Sequence, residues 1–383
     1  MSPDENTSGT PIVVDIGTYS TKIGFAGEAT PRAVVRSLMG MNPKTKNYVF
    51  GDEVLPLIDQ LKLKKPIFDG VLINEALRHF PRFLEYLITH VLECRPSDHP
   101  LLLLTNGKGL QEWDDVASHV FQHLDVPSLK IMKSSQPCLF ALGRSTAMIV
   151  QVGAGHTIAC PFMNGYATAG TCPRLYLGSQ KDVDALIHQE LVKRNVLPDT
   201  LGGLELARQV KEQVAYTAQD YEAEMAEMAS NPNPAVASLP NGLEIECGPE
   251  RILGPEVFFN PGLHGHTSLV GLHIVVRNSV TNCQGIYRAA HADFRNSDED
   301  LQRELASHIY LVGGHARLPG FAQRMEKEIA AMLPNFTVSV QIPDRSSDFE
   351  WFGGALVADQ GNLCWVSKQA WLDAGKSYSY REY

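Results

Sequence analysis

The chain has 383 residues, 44% of them hydrophobic and 20% charged, with a formal net charge of −10. That balance is ordinary for a globular protein of one large or two medium domains, and the acidic excess excludes broad sequence-independent nucleic-acid binding, which needs clustered cations. No apolar run approaches the roughly 20 residues of a membrane span, and the polar opening MSPDENTSGT has no apolar signal core, so a soluble intracellular protein is expected. Cysteines at 94, 138, 160, 172, 247, 283 and 364 show no C-x-x-C and an odd total, which predicts reduced, mostly buried thiols.

Residues Pro11–Glu28 (PIVVDIGTYSTKIGFAGE) predict a buried strand, a tight turn and an antiparallel return strand. Gly17 lets backbone N–H groups approach an anion, while Thr18, Tyr19, Ser20 and Lys22 add donors and charge. Asp15 ends the first strand, where it can face a phosphate-bound metal ion through water. An ordinary hairpin with polar turn residues fits this stretch equally well. Further on, Asn74–Cys94 has a one-sided apolar pattern predicting a helix, Leu101–Leu104 a buried strand, and Gln111–His123 a surface helix. Ala147–Pro161 (AMIVQVGAGHTIACP) repeats the strand–turn–strand pattern, with Gly153 and Gly155 at the turn. Leu201–Met228 predicts one long helix carrying Arg208, Lys211 and Glu212, which by pattern alone form a solvated charged face. Ser230–Gly242, rich in Pro and Asn, predicts a mobile loop. His264, His266 and His273 invite a metal, but no Cys or carboxylate in the nearby sequence completes a set. A third apolar strand ends at Gly313-Gly314, where a base or ribose can come close to the backbone.

Motif after motif then falls in one order: DIGTYSTKIGFAGE with Pro31-Arg32-Ala33-Val34, VFGDE (49–53), KPIFDG (65–70), GRSTAMIV (143–150), RQVKEQVAY (208–216), DYEAEM (220–225), GPEVFFNP (254–261), VGGHARLPGFAQRMEKEI (312–329), WFGGALVAD and WVSKQAW. Over nearly its whole length the chain resembles the actin family, and in particular its divergent actin-related members. The resemblance implies the α/β fold of actin, Hsp70 and sugar kinases, with two similar halves around a nucleotide cleft. Residues 1–142 would be the first half, with an outer lobe near 35–66, and 143–340 the second, with an outer lobe near 178–266. Residues 341–383 would return to the first half, and a hinge is expected near Cys138–Gly143.

The implied cofactor is ATP or ADP with Mg²⁺. Asp15, Gly17, Thr18, Tyr19, Ser20 and Lys22 would meet it from the first hairpin, and Gly153, Gly155 and His156 from the second. Arg208, Lys211 and Glu212 match positions near the adenine and ribose, with Gly313, Gly314 and His315 as a wall. Asp15, Gln136 and Gln151 would face the metal through water, although Ser134–Leu142 reads as well as a helix start with Ser135 as cap and Pro137 at its first turn.

Several positions depart from the family. The metal-facing aspartate is replaced by Gln151, the next aspartate by Ala154 and the water-orienting histidine by Ile158, while His156 stands where the family is apolar. A slow or dead ATPase is therefore expected. Only Met41–Asn47 stands where the family has a long filament-gripping loop, and the plug-loop counterpart Gly262–Gly271 carries His264-Gly265-His266 in place of apolar residues. Both changes weaken the case for self-polymerisation. The resulting expectation is a non-enzymatic subunit of a cytoskeletal or other assembly. Its partners would be other protein subunits, among them actin or dynein-associated components, with no nucleic acid and no membrane; the expected location is the cytoplasm and its cytoskeleton. The alternatives are an active, self-polymerising ATPase and a nuclear subunit of a chromatin remodeller. A sugar kinase would need an aspartate beside the phosphates to deprotonate a hydroxyl, and none stands out.

Overall fold

A computed structural model describes residues 9–67, 72, 74–106, 110–167, 172–239, 242–290 and 298–374; side chains at 74–75, 110–112, 283–290 and 374 are outside the description. The end of the KPIFDG motif, Pro240-Asn241 and the side chain of Cys283 therefore fall outside the described residues. The chain forms two compact units, Met1–Arg144 with Asp348–Tyr383, and Ser145–Ser347. The crossing back comes after the expected 341, because Val340–Gln341 still pairs in parallel with Ile309–Val312 in the second unit.

Each unit is built on one mixed sheet, and the two sheets share a plan. In the first, Ala33–Arg36, Ser20–Phe25 and Ile12–Asp15 pair antiparallel, then Leu101–Thr105 and Ser128–Lys133 continue in parallel. In the second, Tyr166–Ala167, Thr157–Met163 and Ala147–Val152 pair antiparallel, then Ile309–Val312 and Val340–Gln341 continue in parallel. The apolar runs IVVD, LLLLT and IYLV are buried throughout, as expected of strands covered on both faces.

Alternation along the first sheet sends Ile12, Val14, Leu101 and Leu103 to one core with Phe80, Phe83 and Trp113. Val13, Leu102 and Leu104 face the other way, onto Trp351 and Ala355 of the helix Phe349–Asp359. Trp351 Nε1 donates to the Val13 carbonyl at 3.0 Å. The helix lies close because Gly354 has no Cβ, which would stand 2.7 Å from Leu104.

Met39–Met41, Tyr48–Phe50 and Lys62–Lys64 form a small separate sheet. The connection after Met41 is a tight turn, in which Asn42 Oδ1 accepts from the N–H groups of Lys44 and Thr45 and Asn42 N–H donates to the Asn47 carbonyl at 2.9 Å.

Three expectations are corrected. The stretch 201–228 is not one helix but Leu201–Val214 and Tyr221–Ser230, capped by Thr200 and Asp220. The break at Ala215 frees the Thr217 N–H to reach the Pro319 carbonyl at 2.8 Å. The supposed mobile loop contains a strand, Ala235–Ser238, paired with Glu244–Cys247; Ala237, Ile245 and Cys247 are fully buried there, anchoring a hairpin that the prolines disguised. Cys160 and Cys172 are joined as a disulfide rather than free thiols. Arg174–Leu175 pairs with Thr157-Ile158, and that register, extended by two residues, sets Cys172 opposite Cys160 with their Cα atoms 4.3 Å apart. Cys94, Cys138, Cys247 and Cys364 are free.

Glu256, which closes the helix Glu250–Glu256, is buried 3.8 Å from Arg324. Burial, only partly offset by Arg324 and reinforced by Glu328 and Glu224, raises its pKa from 4.5 to about 7. A carboxyl whose folded pKa is raised takes up protons on folding, so its stabilising contribution is complete below 4.5 and disappears as pH rises through about 7. Stability is expected to fall by about 1–2 kcal/mol across that window, since each tenfold change in proton affinity is worth about 1.4 kcal/mol and local relaxation takes back a share. Glu256→Gln should lack this slope in urea titrations followed by circular dichroism at pH 5, 6, 7 and 8. Equal slopes in the two proteins would reject the assignment.

Candidate functional site

In the first unit the antiparallel register places Lys22 directly across from Asp15, and the ammonium meets Asp15 Oδ2 at 2.9 Å. Both side chains are inside, 15% and 4% exposed, so the pair is a buried one rather than a surface contact. Burial lowers the Lys22 pKa, but Asp15, Glu350 and Asp348 together outweigh it and hold the ammonium above its ordinary value. Glu350, in the first turn of Phe349–Asp359, is 2% exposed; burial first and the Asp15 charge second push its carboxyl up to about 8.

The turn between the strands needs glycine, because a Cβ on Gly17 would lie 2.4 Å from the Ser20 carbonyl. Ser37 Oγ donates to the Gly17 carbonyl at 2.7 Å, and the Arg36 guanidinium stacks over Tyr19 at 4.6 Å, so a neighbouring strand shapes the turn. Tyr19 is thus braced within the protein, while Thr18 and Ser20 are half-buried in the turn. Gln136 is in a turn, not a helix: the helix is only Cys138–Leu142, starts from Pro137 with no side-chain cap, and leaves Ser135 without the capping role expected of it.

In the second unit Gln151 ends its strand opposite Ile158, and Gly153 N–H closes the turn onto the His156 carbonyl at 3.1 Å. Ser179 N–H donates to the Gly153 carbonyl, and Gln180 and Lys181 N–H groups to the Ala154 carbonyl, at 2.9, 3.0 and 3.3 Å. That strap is close because a Cβ on Gly178 would lie 2.3 Å from the Ala154 carbonyl. Gly155 and His156 are buried in the turn. Among the described residues, the N–H groups of Thr18, Ala154 and Gly155 meet no acceptor, which leaves them available to an anion.

Lys211 and Arg208 lie on the helix Leu201–Val214 but do not form a solvated face together. Arg208 is clamped between Glu205, at 2.7 Å, and Glu212. Lys211 is buried, ion-paired to Asp184 at 2.6 Å, and donates to Ser179 Oγ at 2.8 Å. Burial pushes the Asp184 carboxyl up even though Lys211 pulls it down. His315 completes this cluster, its Nδ1 hydrogen-bonded to Ser179 Oγ at 3.1 Å and its ring packed on Phe258 and Phe321. Burial, then Lys211, holds the His315 imidazole well below its ordinary pKa, so it is neutral. Sequence reasoning missed Ser179, Asp184 and Glu350; none stands in a glycine turn, and each gains its partner only through the fold.

Gly313 has φ +94, and a Cβ there would stand 2.5 Å from the Val152 carbonyl, so the third turn is pinned to the second hairpin's strand. Gly314 faces open space. His266 Nε2 is 3.1 Å from Asp182 Oδ1, so a carboxylate does approach one of the three histidines. No group of three His, Cys, Asp or Glu able to hold a metal occurs among the described residues. Likewise, no described helix is long and apolar enough to cross a membrane.

Two units with the same sheet plan, each presenting a glycine turn after its central strand, define the actin-like ATPase fold. The chain belongs to the actin family: the Actin family model matches residues 6–201 and 199–382. It is similar to the human protein Actin-like protein 9, with 27% identity over 388 aligned positions that cover 97% of this chain and 87% of the relative. It is thus a divergent member, an actin-related protein.

Proposed function

We propose that this protein is a structural subunit of a multiprotein assembly that binds ATP or ADP with Mg²⁺ weakly and has lost, or nearly lost, hydrolysis. The observation that carries the reading is the second hairpin's turn, Gln151–Ile158, which contains no carboxylate and has its Ile158 position locked in strand pairing. Water activation in a metal-assisted phosphoryl transfer needs charge and a positioned water on that side, and an amide, a methyl and a branched alkyl group supply neither. Loss of such positioning lowers rate by orders of magnitude.

Binding is less affected. Lys22, the free N–H groups of Thr18, Ala154 and Gly155, and the open backbone at Gly314 suit a polyphosphate and its sugar. Against this, Lys22 and Lys211 are already paired with Asp15 and Asp184, so each gives an anion less net attraction than a free lysine would. Mg²⁺ would draw on Asp15 and supply charge neutralisation of the phosphates. The closed turn at Asn42–Asn47, in place of a long gripping loop, favours a fixed place in an assembly over self-polymerisation, and we place that assembly in the cytoskeleton.

The test is calorimetric titration of the full chain with MgATP, with phosphate release followed on the same sample. Binding without release is expected. Turnover at rates comparable to actin would overturn the loss of hydrolysis, and absence of any heat would overturn the nucleotide part.

A further inference from the structure

The first unit holds a set of buried oxygen atoms that its own structure leaves unsatisfied. Asp15 lies opposite Leu104, and Leu104 opposite Met132, at the carboxyl ends of three parallel strands. By strand alternation Asp15 shares the face of Val13, onto which the helix Phe349–Asp359 packs. Glu350 precedes Trp351, whose indole is fixed to Val13, and so is held on the Asp15 side of the sheet. Gly353 presses the same helix onto the Pro137 carbonyl, where a Cβ would come to 2.2 Å. That contact brings in Ser134 and Ser135, and Cys138 Sγ donates to the Ser134 carbonyl.

Glu350 Oε2 and the hydroxyls of Ser134 and Ser135 have no hydrogen-bond partner, although the three residues are 2%, 0% and 1% exposed. The one neighbouring cation, Lys22, is already committed to Asp15. Buried water would satisfy the two hydroxyls but would give the second carboxylate no counter-charge. A hydrated Mg²⁺-like ion answers all three, since such ions keep several waters and need only one or two carboxylates.

We propose that Glu350 and Asp15, with the hydroxyls of Ser134 and Ser135, hold a hydrated divalent cation wholly within the first unit, Glu350 replacing the carboxylates missing at positions 151 and 154. This deepens the nucleotide reading above by naming where its cation is held, and it does not require the nucleotide to be present.

The full chain, free of nucleotide, is titrated with Mn²⁺ and unbound Mn²⁺ is read by electron paramagnetic resonance. One equivalent is expected to bind; Glu350→Gln should weaken it by at least about tenfold, and Gln151→Ala should leave it unchanged. Should Glu350→Gln fail to fold by circular dichroism, Glu350→Asp, which keeps the charge but withdraws it by one methylene, decides by the same readout through a smaller weakening. No stoichiometric binding, or equal binding by the Glu350 variants, overturns the site. Mn²⁺ binding without MgATP binding would uphold the site and reject the nucleotide reading alone. MgATP binding without Mn²⁺ binding would do the reverse.

Discussion

Replacing Lys22 by methionine is expected to destabilise the first unit by about 3–5 kcal/mol, the range for removing one partner of a buried ion pair. Methionine keeps most of the apolar stem, so the loss is electrostatic. Asp15 would be left 4% exposed without its ammonium and beside Glu350, a second carboxyl whose raised pKa already records the repulsion. The double variant Asp15→Asn/Lys22→Met should recover part of the loss, because it removes the orphaned charge instead of leaving it buried. All four tryptophans, at 113, 351, 365 and 371, belong to the first unit, so urea unfolding followed by tryptophan fluorescence reports on that unit. A loss below about 1 kcal/mol would show the pair behaving as a solvated one.

What the sequence made legible was whatever is encoded locally. An apolar run ending in glycine and hydroxyls reads as a strand entering a tight turn, so local pattern alone places both hairpins and the Gly313-Gly314 turn. Asp15 and Lys22 sit seven residues apart on either side of that turn, and their pairing follows from a hairpin register. Glu350 was not legible. In DFEWFGG it looks like a polar residue opening a helix, and only the packing of Trp351 and Gly354 on Val13 and Leu104 puts it under the sheet's face. The cluster at Lys211 was hidden for the same reason: Ser179 and His315 are 136 residues apart and meet through strands and straps that carry no shared motif. Likewise, the disulfide depends on a register between Arg174–Leu175 and Thr157-Ile158 that spacing cannot reveal.

The break after Val214 shows a tertiary contact overriding a local signal. Residues 201–228 have helix-forming composition throughout, yet the Pro319 carbonyl captures the Thr217 N–H, and the chain gives up one helical turn for that link. The capturing carbonyl belongs to the Gly313–Gly320 turn, so the helix bearing Lys211 and the turn bearing His315 are tied at two points, through Thr217 and through Ser179. Fold and candidate site are therefore not independent in the second unit.

That dependence makes the two adjacent glycines separable by experiment. Gly313→Ala is expected to destabilise the second unit by about 3–5 kcal/mol, with about 1–3 kcal/mol from the backbone conformation and the rest from overpacking. Gly313 has φ +94 and ψ 163, a region that only glycine occupies without strain, and a new Cβ would meet the Val152 carbonyl at 2.5 Å. Backbone on both sides leaves no flexible side chain to give way. Gly314→Ala meets nothing within 4 Å and should change stability by no more than about 0.5 kcal/mol. If a base or ribose rests on that backbone, however, the added methyl group intrudes on the ligand, and MgATP affinity should fall while urea unfolding followed by circular dichroism stays as in the parent. Unchanged affinity in Gly314→Ala would show that a bound nucleotide does not rest on this glycine wall. A Gly313→Ala variant as stable as the parent would mean that the turn does not depend on the conformation observed.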